Sequence, residues 1–360
     1  MRAEGEKNRE KGFDFSASIA VVVLNWNGWK DTIECLTSLL MSSYKRFSVV
    51  LVENGSEDDS LERLMEWSEG RIGVVVGPYG KEEVKVRVEF INSHKMHGGF
   101  SSDRIILIRN SRNLGYAGGC NVGIRYALSN DFDYIMLLNN DTTVESDCLK
   151  RLSDFLNNNT EYHVATPMIC YYDRPDRIWN CGGRLTMRGS KRYYFSDKRC
   201  SEVRQNNFKK ITFITGCGLF ARSKIFKEYG LLSERFFFGE EDYEFSLRMK
   251  KNRIGMAAVM GSKIFHKVAA TMDNLFVGNR LAHAYIALLN RYIDMKTYYP
   301  RWYFRIWRVL SFIYIIPMFM IKYKANMDEC LLLCRNLLKE SKRLDYVKRD
   351  EVLRAIELFK

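Results

Sequence analysis

Three sets of acidic residues stand where strands end or helices begin. Glu53 closes "FSVVLVE", Asp141 follows "YIMLLNN", and Glu240-Glu241-Asp242 lies between the aromatic run Phe236 to Phe238 and a helical stretch. Taken singly, each reads as a turn acid or a helix N-cap. Together they describe a site for a nucleotide diphosphate. One carboxylate accepts hydrogen bonds from a base or ribose, and another holds a hard cation that bridges two phosphates.

Such a cation, Mg²⁺ or Mn²⁺, prefers oxygen ligands and takes only one or two protein carboxylates beside phosphates and water. Asp141, with its amide neighbours Asn139 and Asn140, is therefore enough in principle. His266, after the apolar run in "KIFHK", is the candidate third ligand, although a lone histidine is more often a packed residue. Asp242, beside Glu241 at a helix start, has the chemistry of a general base beneath the aromatic rim. Arg248 in the same helix supplies a cation, and Asn25 ends the first strand. Asn113 to Asn121 is glycine-rich and enters a helix, so Gly115 and Gly118 let backbone N–H groups approach an anion.

These positions need a sheet that presents strand ends on one side. "SIAVVVLN" (18–25), "FSVVLVE" (47–53), "RIILIR" (104–109) and Tyr134 to Leu138 are continuous apolar runs, as strands covered on both faces require. Helical spacing follows them at Lys30 to Leu40, 58–65 and 121–128, which predicts a parallel α/β sheet with ligands beyond its carboxyl ends. Residues 77–103 read as a loop or small hairpin leaving that sheet. After Leu156 the pattern turns to glycine-interrupted strands, suited to covering the sheet and receiving a second substrate.

The 360 residues are ample for a core held by burial. Nine cysteines are scattered without a CxxC pair, which favours reduced thiols over a disulfide framework or metal site. The charged N-terminus has no apolar segment of the secretory kind, so work on the cytosolic side is expected.

Four ordered segments carry a resemblance to a known family. They are "VVVLNWNGWKDTIECLTSLL"; "VVLVENGSEDDS"; "NLGYAGGCNVGIRYAL" with "YIMLLNNDTTVE"; and "ITGCGLFARSKIFKEYGLLSERFFFGEEDYEFSLRMKKNRIG". The chain resembles the family-two inverting glycosyltransferases of GT-A fold, in their rhamnosyltransferase-like branch, over about Ile19 to His266. The resemblance implies that Glu53 stands where an Asp normally meets the nucleobase. Asn139-Asn140-Asp141 falls on the Asp-x-Asp motif, with Asp141 as metal contact and Asn139 as the departure. It also implies that Asp242 is the catalytic base with Glu241 beside it, that His266 helps hold metal or diphosphate, and that Asn113, Gly115 and Gly118 line the sugar-nucleotide. The donor would be a dTDP-, UDP- or GDP-sugar, the acceptor a glycan or lipid-linked hydroxyl. The implied organisation is an extension at 1–16, a GT-A domain at 17–275 (donor half 17–145, acceptor half 146–275), and a helical region at 276–360.

That last region decides where the enzyme works. The net charge is +13, and residues 291–360 carry fifteen Lys/Arg against eight Asp/Glu. The excess lies beside an aromatic, basic segment at 300–324 whose apolar run, Val309 to Ile321, falls short of the ~20 residues needed to span a bilayer. It reads first as an interfacial, monotopic segment on the cytosolic face, with a full span and a buried helix pair as alternatives. Nucleic acid is disfavoured, because no base-stacking platform accompanies the charge. The helices after Asp328 either pack back on the domain or form a homodimer. Two competing functions are a sugar nucleotidyltransferase, for which "LNWNGWK" is poor in glycine, and a membrane-attached sugar-nucleotide binder without catalysis.

Overall fold

The computed structural model describes residues 17–92, 104–204, 207–237, 239–268 and 279–359. Phe238 of the expected aromatic rim, the 1–16 extension and residues 93–103 lie outside them. The chain runs β1 (Ile19–Asn25), α1 (Trp29–Leu40), β2 (Phe47–Glu53) and α2 (Ser60–Ser68). The 77–103 excursion contributes to a small hairpin, β3 (Val74–Val75) with β4 (Glu83–Val84), and to an edge strand, β5 (Glu89–Asn92). Then follow β6 (Arg104–Arg109), α3 (Gly115–Ser129), β7 (Tyr134–Asn139), β8 (Thr142–Val144), α4 (Cys148–Asn158) and β9 (Tyr162–Tyr171).

Three short strands, β10 (Ile178–Asn180), β11 (Gly183–Leu185) and β12 (Lys191–Tyr193), lead to β13 (Phe208–Ile211), β14 (Gly218–Arg222), α5 (Ser223–Tyr229), α6 (Glu241–Lys251) and β15 (Gly255–His266). Five helices close the chain: α7 (Arg280–Tyr298), α8 (Arg301–Leu310), α9 (Phe312–Lys322), α10 (Met327–Arg343) and α11 (Arg349–Leu358).

One sheet runs through both expected halves, in the order β13-β15-β9-β14-β7-β1-β2-β6-β5. Strands β7, β1, β2, β6 and β5 are parallel, as their unbroken apolar sequences predict. Strand β14 then enters antiparallel to β7 and makes the sheet mixed. Helix α3 sits close on β1 because it is glycine-rich there: a Cβ on Gly119 would come within 2.4 Å of Leu24, and one on Gly123 within 2.4 Å of Val22. Two apolar clusters line the two faces of the sheet.

The C-terminal helices pack back on the domain around a third core that includes Phe236, Ile286, Tyr292, Trp307, Leu333 and Val347. Phe237 N donates to Val347 O at 2.8 Å and Val347 N to Arg235 O at 2.7 Å, stitching the tail to the loop before α6. The apolar run Val309–Ile321 is part of a longer helical stretch. Helices α8 and α9 run almost end to end over Arg301–Lys322, 22 residues within which an 18-residue window reaches a mean hydropathy of 1.6. Among the described residues all nine cysteines are free thiols, eight of them buried.

Candidate active site

The β8–β15 pairing builds one corner of the site. Thr142 stands opposite His266 in antiparallel register, and Lys267 N donates to Asp141 O at 3.0 Å, so the turn after β7 is fastened to the end of β15. Asp141 Oδ1 consequently lies 3.2 Å from His266 Nε2, both side chains being buried. Burial opposes the imidazolium, but Cys217 and Asp141 outweigh it and push His266 up to about 10. The contact falls outside hydrogen-bond geometry, and Asp141 Oδ1 and His266 Nδ1 remain without hydrogen-bond partners.

Orphaned buried polar atoms call for an unrecorded partner. One carboxylate and an imidazole that has given up its second proton suit a divalent cation whose remaining ligands are phosphate oxygens and water. Among the described residues no cluster of three or more His, Cys, Asp or Glu is placed to hold a metal by protein alone.

The neighbouring amides are committed to building the floor. Asn139 Oδ1 accepts from the Tyr116 hydroxyl at 3.0 Å, and Asn140 Nδ2 donates to Thr32 Oγ1 at 2.9 Å. Asn25 Oδ1 accepts from the same threonine at 2.7 Å, and its Nδ2 donates to Ser56 Oγ at 3.2 Å. The Glu53 carboxylate accepts from its own turn, Ser56 N at 2.8 Å and Gly55 N at 3.3 Å. Asn113 Oδ1 accepts from Gly115 N at 2.8 Å and Asn54 Nδ2 at 3.0 Å. Gly115 has φ of +76°, and a Cβ there would lie 2.6 Å from Phe237 O, so only glycine lets the α3 start meet the loop before α6. Gly118 lies in the first turn of α3, against Leu114.

The acidic cluster stands across this floor. Glu240 takes a left-handed backbone, φ +69°, and opens α6. Arg291 of α7 donates to both its carboxylate oxygens, Nε at 2.6 Å and Nη2 at 2.8 Å. Lys191 Nζ lies 3.6 Å from Asp242 Oδ1. Burial, then the charge on Asp242, pushes Glu241 up to about 8, so it is protonated at neutral pH. Burial also raises Asp242, with Lys191 and Arg291 pulling it back and Glu240 adding to the rise. Burial thus raises both adjacent carboxyls, and Lys191 opposes the rise at Asp242.

Side chains that no motif flagged join the two sides. Tyr116 also donates to Gly216 O at 3.1 Å, and burial, with Cys120 and Glu241 adding to it, raises its hydroxyl well above the ordinary value. Trp179 lies 4.6 Å from the His266 ring, Tyr193 6.2 Å from Trp179, and Phe213 5.8 Å from Tyr193, beneath Lys191. Their signal in the sequence was limited to aromatic type on glycine-interrupted strands. Arg248 is not brought to the site. Its guanidinium is spent on Glu244 and on the carbonyls of Tyr229, Gly230 and Leu231, which fix the loop after α5.

Sheet order, strand-end acids and a helix-start carboxylate define a nucleotide-diphospho-sugar transferase fold of GT-A type. The profile of the glycosyltransferase like family 2 matches residues 17–280, and the chain belongs to that family. Low-salt glycan biosynthesis hexosyltransferase Agl10 of Haloferax volcanii is 25% identical over 215 residues, 58% of this chain and 63% of Agl10. dTDP-rhamnosyl transferase RfbF of Shigella flexneri is 24% identical over 166 residues, 46% of this chain and 53% of RfbF. Each match spans less than two thirds of the relative.

Among solved structures, S. aureus TarS 1–349 superposes with a TM-score of 0.51 at 14% identity, over 90% of this chain and 80% of that one. GalNAc-T7 with UDP, GalNAc and Mn²⁺ superposes with a TM-score of 0.50 at 15% identity, over 69% of this chain and 44% of that one. Both likenesses concern the fold.

Proposed function

We propose that the chain is an inverting glycosyltransferase that moves a sugar, hexosyl or deoxyhexosyl, from a nucleotide-diphospho-sugar to an acceptor hydroxyl. The observation that carries this reading is the run of contacts from His266 through the rings of Trp179, Tyr193 and Phe213 to Lys191 and Asp242, which sets the Asp141–His266 corner and the acidic motif along one cleft.

The Asp242 carboxylate takes the acceptor proton as the oxygen bonds to the anomeric carbon. The bond from that carbon to the diphosphate breaks, the nucleoside diphosphate leaves with the electron pair, and the configuration inverts. Glu53, Asn54, Asn113 and the α3 start form the wall against which a base and ribose rest. Asp141 and His266 would hold a divalent cation, Mg²⁺ or Mn²⁺, whose charge offsets that of the leaving diphosphate. The donor in this reading is a dTDP-, UDP- or GDP-sugar.

The acceptor is proposed to be a glycan carried on lipid, with the enzyme lying on the cytosolic membrane face. Support comes from α8 and α9, which bury Phe304, Trp307, Ile315 and Phe319 inward and leave Trp302, Ile306, Val309, Leu310, Ile313 and Ile321 exposed. A helix packed on protein along one side and apolar on the other suits an interface better than a span. Arg301, Arg305, Arg308, Lys322 and Lys324 flank that stripe and favour anionic headgroups.

Thermal shift with UDP-, dTDP- and GDP-sugars, each with and without Mn²⁺, followed by product analysis on the stabilising donor, tests the reading. Stabilisation with release of nucleoside diphosphate supports it. Binding without turnover on lipid-linked acceptors would favour a sugar-nucleotide binder, and pyrophosphate release from a nucleoside triphosphate a nucleotidyltransferase.

A further inference from the structure

The geometry points to Lys191 as a positioning residue for the Asp242 carboxylate, held in place by the C-terminal helices. This rests on Asp242 being the base. Lys191 opens β12 and reaches Asp242 Oδ1 at 3.6 Å, while its ammonium lies 4.7 Å above the Phe213 ring. An ammonium over an aromatic face beside a carboxylate has one low-energy position, since both neighbours attract it.

The turn that delivers Lys191 is gripped from outside the catalytic domain. Thr186 N donates to Ser190 O at 2.8 Å to close it. Tyr303 donates its hydroxyl proton to Met187 O, Trp307 Nε1 donates to Arg188 O at 2.9 Å, and Arg291 donates to Gly189 O. Gly189 takes φ +72°, and a Cβ there would lie 2.9 Å from the Trp307 ring. Arg291 grips Glu240 with its other donors, so one guanidinium ties the Lys191 turn to the acidic motif.

The charges show what this arrangement does. Facing Asp242 are Glu240 and Glu241 from its own loop and helix, Lys191 and Tyr193 from β12, and Arg291 from α7. Arg291 is bound to Glu240, which leaves Lys191 as the nearer and larger counter-charge of Asp242. Without it, burial and Glu240 would raise the Asp242 carboxyl further and favour the protonated form, which cannot take a proton from the acceptor. The ammonium gives up some basicity of Asp242 in exchange for its ionisation and a fixed direction.

The test uses the full chain, with Lys191→Met, Lys191→Arg, Trp307→Phe and Asp242→Asn. Carbodiimide with glycine ethyl ester labels protonated carboxyls, and mass spectrometry across pH gives the midpoint at Asp242, with Asp242→Asn separating its signal from that of Glu241. The midpoint is expected to rise by about one unit or more in Lys191→Met, to return most of the way in Lys191→Arg, and to move less but in the same direction in Trp307→Phe. Equal midpoints in the wild type and Lys191→Met, with melting temperatures showing both folded, would overturn the assignment. Hydrolysis of UDP-glucose and dTDP-rhamnose is followed in parallel. The acid limb of kcat should move with the labelling midpoint at unchanged donor KM. Turnover surviving in Asp242→Asn would remove the base reading, while the labelling result still decides whether Lys191 sets the ionisation of Asp242.

Discussion

Thr142 and His266 face each other across an antiparallel bridge, and this pairing of residues far apart in the chain puts Asp141 against His266. Asp141→Ala should therefore remove the metal-dependent part of donor binding. In titration calorimetry with UDP or dTDP, added Mn²⁺ should tighten binding roughly tenfold, about 1.4 kcal/mol, in the wild type and leave the variant unchanged. Equal Mn²⁺ responses would remove the cation from this corner.

Asp242→Asn keeps size and hydrogen-bonding shape but cannot take a proton. Transfer should fall about 10²–10⁴-fold, the usual contribution of a positioned base, while donor affinity stays within roughly threefold of wild type. Turnover within tenfold of wild type would assign the base elsewhere.

Glu241 gives a pH signature in stability. Its folded pKa, about 8, lies above the ordinary 4.5, so the folded state holds the proton more tightly than the unfolded state. The resulting stabilisation is complete below pH 4.5 and is lost as pH rises through 8. Glu241→Gln, which needs no proton, should gain melting temperature relative to wild type between pH 5 and pH 9. A constant difference across that range would argue against a buried, protonated Glu241.

How much of this could be read from the sequence differs by element. The strands β1, β2, β6 and β7 were legible because burial on both faces demands unbroken apolar runs, and those runs end at the polar residues that form the site. The antiparallel entry of β14 was not, since no local pattern encodes which neighbour a strand will choose. Asp141, His266 and Asp242 stood out as acids and a histidine at element ends. Lys191 and Arg291 did not, because a cation in a hairpin or on a helix reads as solvated until its partner is known. Arg248 looked equally available, yet every direction of its fork is filled by carbonyls and Glu244.

The exposed stripe on α8 and α9 predicts lipid binding. Ile313→Asp combined with Val309→Asp should weaken flotation with vesicles containing anionic lipid, and raised salt should weaken wild-type binding through the flanking basic residues. Circular dichroism should be unchanged, because both positions point away from the core. Flotation equal to wild type would place the membrane contact elsewhere.

Close packing of α3 on β1 yields a stability prediction. Gly123→Ala places a Cβ 2.4 Å from Val22, a distance that forces the helix or the strand to move. A loss of about 1–3 kcal/mol in urea unfolding is expected, as for other overpacked interiors. Leu→Ala-type relief at the partner, Val22→Ala, should restore part of it.

The two hydrogen bonds between Val347 and the 235–237 segment also bear on the order of assembly. During synthesis the strands of the sheet emerge before residue 347 does. The loop that leads into Asp242 must wait for Val347, which is made long after it. A nascent chain would thus complete its sheet before the 235–237 segment gains its hydrogen-bonded partner at Val347.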